Sequence, residues 1–289
     1  MPAPLLAVDA PSLLYRAWFA LPDKITGVDG MPVNALLGAT NAILRIVADR
    51  RPRAVVICNG AEAARYRVER YGGYHADRPP VPDGLAAQFA RAGELFEGFG
   101  WTLAGTDELE ADDLLHSFAL SEVEAGGEAL LMTGDRDMFQ CATDAVTVLY
   151  LKTGVRGFEP MTPAAVEQRY GIPPALVPDF IALRGDPSDG LPGARGIGEK
   201  GAADLLRRHG SLEAALADPD GERPRVARAL REQAGELRDY LAIATLQRVE
   251  VPRPADRPLD LAGGADAAEA LGMNRLARRL RDAGDPSRL

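Results

Sequence analysis

The segment Gly185–Ala202, with the sequence GDPSDGLPGARGIGEKGA, combines two features that are needed together when a ligand is a phosphodiester. Asp186 and Asp189 offer hard oxygen ligands at a spacing that suits Mg²⁺ or Mn²⁺. Seven residues further on, the turn Gly196–Gly198 opens a predicted helix. Glycines at such a turn allow backbone N–H groups to approach an anion closely, and a helix N-terminus favours negative charge. A metal site beside a phosphate cradle indicates a nucleic-acid nuclease.

Acidic residues also stand where predicted strands end. Asp9 follows the apolar run Leu5–Val8, and Asp135 and Asp137 follow the run Ala129–Met132. In an open parallel sheet the carboxyl ends of the strands form the ligand crevice, so we expect these side chains to meet. Asp is also a common turn former after a strand. Two acidic pairs and an acidic helix in one chain nevertheless favour a cation site.

A third group of acids, with the sequence DELEADD, begins at Asp107 and leads into the predicted helix Ala111–Val123. Acids in a first helical turn complement the helix dipole, and Asp107 with Glu110 fits a capping box. So many carboxylates in one crevice would repel one another strongly, and two divalent metals roughly 4 Å apart would hold them together. The candidate metal ligands are Asp9, Asn59, Glu110, Asp112, Asp113, Asp135, Asp137, Asp186 and Asp189.

The charge of the chain is acidic overall but basic in places. The formal net charge is −9 over 289 residues. Arg195, Lys200, Arg207 and Arg208 nevertheless follow the glycine turn, and this predicts a local basic strip beside an acidic metal pocket.

Cellular location and assembly follow from what the sequence contains. No apolar run approaches the ~20 residues that span a bilayer, and the N-terminus has no basic signal-peptide segment. The two cysteines lie in apolar segments, as expected for reduced, buried thiols of a cytoplasmic protein. We expect a monomer, because no segment resembles a dimer seam.

The apolar patterns predict an α/β fold followed by a helical part. Four runs read as strands, and helical patterns separate the first three, so a mainly parallel central sheet with flanking helices is expected. The strand signal ends near residue 160. The predicted strands are Leu5–Val8, Ala54–Cys58, Ala129–Met132 and Ala145–Leu151. The predicted helices are Val33–Ala48, Ala111–Val123, a helix capped by Thr162 that runs to Tyr170, Leu176–Leu183, Glu199–His209, Leu212–Ala217 and Arg225–Ala244.

Several sequence blocks, in this order along the chain, resemble the 5′-nuclease family of flap endonucleases and 5′→3′ exonucleases. The blocks are AVDAPSLLYRAW, YGGYHADRPPVPD, ELEADDLL, TGDRDMFQ, the segment YGIPPALVPDFIALRGDPSDGLPGARGIGEKGAADLL, and ALGMNRLARRL. The chain is especially similar to the exonuclease part of bacterial DNA polymerase I. No polymerase portion follows, so it resembles the stand-alone bacterial form.

The resemblance implies a division of the chain and a substrate. Residues 1–160 would form a PIN-like, metal-dependent nuclease core with a helical arch at about 65–95. Residues 161–289 would form a helical DNA-binding region, with a helix–turn–helix at about 185–210 and a tail that packs back on the core. The implied activity is hydrolysis of DNA at 5′ ends, 5′ flaps and single-strand/duplex junctions, with RNA primers as a further substrate.

The resemblance also assigns roles to residues. The eight acids among the candidate ligands match the family's metal-binding acids, and Arg16 matches an arginine near the scissile phosphate. Tyr74 and Arg78 match the base of the arch. In the helix–turn–helix, Gly196, Gly198 and Lys200 match the duplex-gripping turn, where the family often holds K⁺, and Arg195 adds a phosphate-contacting cation.

The chain departs from the family pattern at three further positions. Asn59 stands where the family has Asp after the second strand, which predicts weaker occupancy of one metal site. His75 replaces an arch lysine and would contact phosphate only when protonated, so activity would fall as histidine loses its charge. Gly190 replaces an Asn after Asp189, which would loosen the site.

Three other functions compete with the nuclease hypothesis. Asn59 and His75 leave open a catalytically weak flap-binding protein. An RNA-directed nuclease on a similar core is opposed by the glycine turn, which suits a duplex backbone. A phosphatase based on Asp135-Arg136-Asp137 leaves Gly185–Ala202 without a role.

The aromatic residues Trp18, Phe19 and Trp101 lie in apolar segments, so core packing is expected for them rather than base stacking.

Overall fold

A six-stranded sheet forms the centre of the molecule in the computed structural model, which describes residues 3–152 and 157–285. The order across the sheet is β3-β2-β1-β4-β5-β6. All neighbouring pairs are parallel except β5 with β6. The strands are β1 (Leu5–Asp9), β2 (Ala54–Asn59), β3 (Thr102–Gly105), β4 (Ala129–Thr133), β5 (Val146–Leu151) and β6 (Phe158–Met161).

The four predicted strands are confirmed, and two edge strands are additional. β1, β2, β4 and β5 are almost continuously buried because helices cover both faces of a parallel sheet, which explains their uninterrupted apolar sequences. β3 is half exposed, and β6 contains Pro160, which an edge strand tolerates. Neither edge strand therefore carries a strong apolar signal.

Thirteen α-helices are found in the described residues, and each predicted helix is present. They are α1 (Ala10–Ala20), α2 (Asn34–Arg50), α3 (Arg65–Arg70), α4 (Asp83–Gly98), α5 (Ala111–Glu124), α6 (Pro163–Tyr170), α7 (Val177–Arg184), α8 (Glu199–His209), α9 (Leu212–Ala217), α10 (Pro224–Glu232), α11 (Ala234–Ala244), α12 (Leu261–Ala270) and α13 (Asn274–Ala283).

Two apolar cores lie on opposite faces of the sheet. One joins the sheet to α5 and continues into α6–α11. The other joins it to α1, α2, α4, α12 and α13. None of the described helices is long and apolar enough to span a membrane.

The predicted helix Arg225–Ala244 is divided at Gln233. The backbone of Gln233 leaves the helical region, and the buried Gln233 side chain accepts a hydrogen bond from Arg195 N at 2.7 Å. The break therefore holds α10 and α11 against the glycine turn. A periodic apolar pattern cannot predict this break, because it depends on a contact with Arg195, 38 residues earlier in the chain.

The expectation of core packing for the aromatic residues is correct for Trp101 and wrong for Phe19. Trp101 is buried and stacks on Phe99 with ring centroids 4.6 Å apart. The Phe19 side chain, near the end of α1, is 68% exposed. Both cysteines, Cys58 and Cys141, are free and buried.

An extended segment, residues 245–260, runs along α5 and is fixed by a buried ion-pair network. The Glu122 carboxylate is 1% exposed and binds the guanidinium groups of Arg53 and Arg253. Arg53 also donates to Pro254 O at 2.7 Å. Burial acts to raise the pKa of the Glu122 carboxyl, but the hydrogen bonds from both arginines outweigh it and hold that pKa below its usual range.

Glu122→Gln should lower the free energy of unfolding at pH 7 by roughly 3 kcal/mol, because the buried Arg53 would lose its buried carboxylate and keep only the exposed Asp256 as an ionic partner. The lowered pKa means that Glu122 stabilises the fold above its unfolded-state value of about 4.3, and this contribution disappears as the pH falls through the folded-state value. Urea unfolding at pH 7 and at pH 3 measures both effects. The exposed Glu124→Gln is the control and should change stability by less than about 0.5 kcal/mol. Equal losses in both variants would contradict this role of Glu122.

Candidate metal centre and nucleic-acid interface

Asp9 ends β1 and begins α1, and its carboxylate is already oriented by two neighbours. One oxygen accepts from Ser12 N at 2.9 Å and caps the helix. The other accepts from the buried Thr133 hydroxyl at 2.7 Å. Since β1 and β4 are adjacent and parallel, these contacts join two strand ends as the sequence predicts.

The turn after β4 carries Asp135 and Asp137 to the same edge of the sheet. Asp135 N donates to the Thr133 hydroxyl at 3.0 Å, and Asp137 N donates to Asp135 Oδ1 at 2.8 Å. Arg16 donates to Gly134 O at 2.6 Å, which places its guanidinium beside this turn. Arg16 therefore lies next to the acids of this turn.

The acids at the start of α5 divide into two groups. Glu110 and Asp113 turn towards Arg67, whose two terminal nitrogens lie 3.0 and 2.9 Å from their carboxylates. Asp113 also accepts from Glu110 N, so the cap pairs these two residues and not Asp107 with Glu110. Asp112 faces Asp9 and Asp135 instead. Asp112 thus joins the strand-end acids, whereas Asp113 shares the Arg67 guanidinium with Glu110.

Tyr74 is buried, with its hydroxyl 3.0 and 3.1 Å from the two Glu110 carboxylate oxygens. The hydroxyl therefore supports Glu110 in this structure, and the DNA contact that the resemblance implies for Tyr74 stays a prediction.

At the end of β2 the structure faces Cys58, and not Asn59, towards the acids. Cys58 pairs in register with Asp9, so their side chains lie on one face of the sheet. Asn59 is exposed, and the alternation of a strand directs it to the opposite face. Burial first, and then the nearby Asp9 and Asp112, raise the pKa of the Cys58 thiol well above its usual range. The structure therefore does not bring Asn59 into the acidic cluster.

Asp186 and Asp189 are buried in the loop that follows α7. Asp186 accepts from Arg184 at 2.9 Å and from Ser188 N at 2.9 Å. One Asp189 oxygen lies 3.1 Å from both His75 Nε2 and Arg78 Nη2. The predicted arch residues thus meet the second acidic pair.

Each nitrogen of the His75 ring faces an acceptor, since Nδ1 lies 2.8 Å from Glu62 O and Nε2 faces Asp189. Gly190 has φ +76°, and a Cβ there would stand 2.5 Å from Gly73 O. Glycine at position 190 therefore permits close packing of the two loops. The sequence suggests instead that it would loosen the site.

Without bound cations, four of these acids, Asp9, Asp112, Asp135 and Asp137, strongly disfavour the ionised form. Burial first, and then neighbouring carboxylates, raise the pKa of Asp135 to about 7 and raise the pKa values of Asp112 and Asp137 well above the usual range. Burial also raises the pKa of Asp9. We call Asp9, Asp112, Asp135 and Asp137 the inner acidic cluster.

The inner acidic cluster fits divalent cations by its chemistry. It presents only oxygen donors, and the buried Asp112 Oδ1 has no hydrogen-bond partner. Within residues 3–152 and 157–285, no three His, Cys, Asp or Glu side chains are already spaced to coordinate one ion. Cations would therefore have to draw these carboxylates together against their mutual repulsion.

The glycine turn lines a cleft of about 640 Å³ with Gln233, Glu236 and Tyr240. Gly196 has φ +77°, a backbone conformation that would strain any other residue, and a Cβ there would crowd the Arg225 side chain at 2.5 Å. Gly198 caps α8 without a side-chain hydrogen bond, which leaves the helix N-terminus open. Arg195 and Lys200 are exposed beside it, as a contact with a nucleic-acid backbone requires.

Sequence reasoning missed four side chains that position the acids. Thr133 orients Asp9 and Asp135, Arg67 holds Glu110 and Asp113, and Arg184 binds Asp186. Gln140 donates to Asp137 O at 2.8 Å. Thr133 stands directly before Gly134-Asp135, which was an available signal. Arg184 and Gln140 are likewise only two and three residues from the acids that they contact, whereas the Arg67 contacts join segments that are distant in the sequence.

Two family models match the chain. Residues 4–171 match the N-terminal resolvase-like domain of 5′-3′ exonucleases, and residues 172–260 match the C-terminal SAM fold of the same enzymes. A 5′-3′ exonuclease of Mycobacterium tuberculosis is 34% identical over 99% of both chains. A 5′-3′ exonuclease of Streptomyces coelicolor is 37% identical over 83% of each. The chain also matches DNA polymerase I of Mycobacterium bovis at 38% identity, but spans about 25% of its length.

Solved structures share the fold. The flap endonuclease of bacteriophage T5, in a complex with DNA and metal ions, superimposes with a TM-score of 0.69 at 17% identity over 99% of both chains. The catalytic core of Rad2 with a DNA substrate superimposes with a TM-score of 0.61 at 14% identity, over 96% of this chain and 90% of that one. These similarities confirm the mainly parallel α/β sheet and the helical C-terminal part.

Proposed function

The chain belongs to the 5′-3′ exonuclease family, and on that premise we propose that it is a structure-dependent nuclease that hydrolyses DNA phosphodiesters at 5′ ends and 5′ flaps with two divalent cations. The inner acidic cluster is the observation that carries this proposal. Its four carboxylates are crowded at one edge of the sheet, and burial raises the pKa of every one. Such a concentration of unfavourable charge has a function when Mg²⁺ or Mn²⁺ neutralises it.

The residues around the cluster suggest separate roles in phosphodiester hydrolysis. Cations held by the inner acidic cluster would supply an activated water and stabilise charge on the phosphate oxygens. Thr133 and Ser12 fix the orientation of the ligands. Arg16, which lies beside Gly134, would neutralise a phosphate, and Arg78, whose side chain is 38% exposed, would contact the strand that approaches Asp189.

The glycine turn would hold the duplex at a distance from the cluster. Its exposed N–H groups and the N-terminus of α8 suit a phosphate, and Lys200 adds a charge without reading sequence. This turn is also the place that we propose for K⁺.

Cleavage of a 5′-labelled flap duplex tests the proposal, with Mg²⁺ and Mn²⁺ titrated separately. We expect metal-dependent cutting close to the single-strand/duplex junction, and an RNA flap of the same sequence measures sugar preference. Tight binding without cutting in either metal would instead show a flap-binding protein. Cutting that is independent of metal would refute the two-metal proposal.

Lys200→Ala should weaken binding to duplex DNA by a similar factor for every sequence. Because one phosphate contact is lost, the slope of log K against log[salt] should become smaller by about 0.9. Fluorescence anisotropy over a salt series measures this slope. Lys24→Ala, which removes an exposed lysine from the loop after α1, is the charge-matched control. An unchanged slope in the Lys200 variant would exclude this contact.

A further inference from the structure

The end of α11 and the residues that follow it, 243–247, make three connections to two groups of acids. This junction segment is largely buried, and its Ile243, Ala244 and Leu246 are 2%, 3% and 8% exposed. It belongs to the helical C-terminal part, whereas the acids it reaches lie in the turn after β4 and at the start of α5. We infer that Gln140 and Arg67 are positioning residues, through which docking of α11 sets the geometry of the acidic site.

Gln140 bridges the junction segment and the Asp135–Asp137 turn. Its amide nitrogen donates to Asp137 O at 2.8 Å and to Ala244 O at 2.9 Å. Its amide oxygen accepts from Leu246 N at 3.2 Å. Both groups of one side chain are therefore used, and the backbone of Asp137 is fixed relative to α11.

Arg67 makes the second connection, from α3. Its Nε donates to Ile243 O at 3.0 Å, while its two terminal nitrogens bind Glu110 and Asp113. The side chain is 4% exposed, so these contacts are shielded from water. A rigid guanidinium plane thus relates the junction segment to the start of α5.

A third connection joins the junction segment to α5 directly, since Gln247 N donates to Asp113 Oδ1 at 2.8 Å. The three connections start within five residues of each other. Apart from β1, which carries Asp9, the inner acidic cluster lies on the turn after β4 and on α5, and the connections reach both of these elements. A shift of α11 would therefore be transmitted to Asp137 and to the first turn of α5 together. Because the cluster has to close around cations, a small error in these elements should weaken metal binding.

The experiment compares the wild-type chain with Gln140→Met, which keeps the side-chain length and removes all three hydrogen bonds. It rests on the proposed function, so the wild type is measured first. We expect kcat on a flap duplex to fall at least about 10-fold, since small displacements of catalytic groups have such effects. The half-saturating Mn²⁺ concentration should rise several-fold. The Kd for the duplex without divalent metal should stay within about 2-fold.

Two controls separate positioning from loss of stability. Val166→Ala truncates a fully buried side chain on α6 and should lower the Tm without changing the Mn²⁺ requirement. Gln168→Met makes the same chemical change at an exposed position of α6. Mn²⁺ binding by calorimetry provides a readout that does not depend on turnover.

The outcomes are distinct for the two proposals. A wild type without metal-dependent cleavage would overturn the proposed function, and calorimetry would still test the positioning role. An active wild type with a Gln140→Met variant of unchanged kcat and Mn²⁺ affinity would overturn the inference. If Gln140→Met does not fold, Arg67→Lys replaces it, because lysine retains the charge but not the planar fork. Arg67→Lys with normal Mn²⁺ affinity would then be the contradicting result.

Discussion

Replacing Asp135 and Asp137 together by Asn should abolish cleavage while DNA binding is largely retained. Both carboxylates belong to the inner acidic cluster, and they share one turn after β4. Loss of the proposed metal site would remove several kcal/mol of transition-state stabilisation, and about 4 kcal/mol corresponds to a rate loss of roughly 1,000-fold. The glycine turn and Lys200 lie on other elements, so the duplex contacts should persist.

Single-turnover cleavage and anisotropy on the same flap duplex measure the two properties. A double variant of exposed acids, Asp144→Asn with Asp218→Asn, controls for the change in net charge. A normal cleavage rate in the Asp135/Asp137 variant would refute the metal assignment. Loss of binding to the same extent as cleavage would show that these acids support the DNA-binding surface.

Divalent metal should stabilise the protein strongly, and more at pH 8 than at pH 5.5. A carboxyl whose pKa rises from about 4 to about 7, as for Asp135, costs the fold up to about 4 kcal/mol when it is ionised. Because the pKa is raised in the folded protein, this loss of stability is absent below about pH 4. It grows as the pH rises towards 7 and is fully present above pH 7. Cations relieve the repulsion where the charge is present, and protons compete with them where it is not.

Thermal unfolding with and without Mn²⁺ measures this effect. At about 100 times the Kd, one bound ion contributes ~2.7 kcal/mol, which raises the Tm by roughly 5 °C for a chain of this size. The Asp135/Asp137 double Asn variant should be more stable than wild type without metal at pH 8, and should lose most of the Mn²⁺ response. A response that is equal at both pH values would contradict the role of the buried acids.

The structure also redirects the hypothesis about the missing acid of β2. The sequence suggests that Asn59 weakens one metal site. The register of β2 instead faces Cys58 towards Asp9, and Asn59 lies on the other face. A one-residue offset reverses the face of a strand, so a motif comparison alone does not identify which side chain reaches the site.

The sequence by itself determined the four central strands of the sheet, the acids at the strand ends and the glycine turn. Local physics governs these features: apolar runs form buried strands, polar residues follow at strand ends, and glycine permits positive φ at Gly196. The edge strands β3 and β6 were missed because half-exposed strands carry little apolar signal.

Only the tertiary structure decided which acids remain without a cationic partner. Asp112 and Asp113 are adjacent in sequence, yet Asp113 binds Arg67 and Asp112 faces the strand-end acids. Arg67 in turn binds Ile243 O, which is 176 residues away along the chain. A side chain's charge environment depends on elements that pack from distant segments. No periodicity or local propensity contains that information, because burial and through-space pairing exist only after the chain has folded.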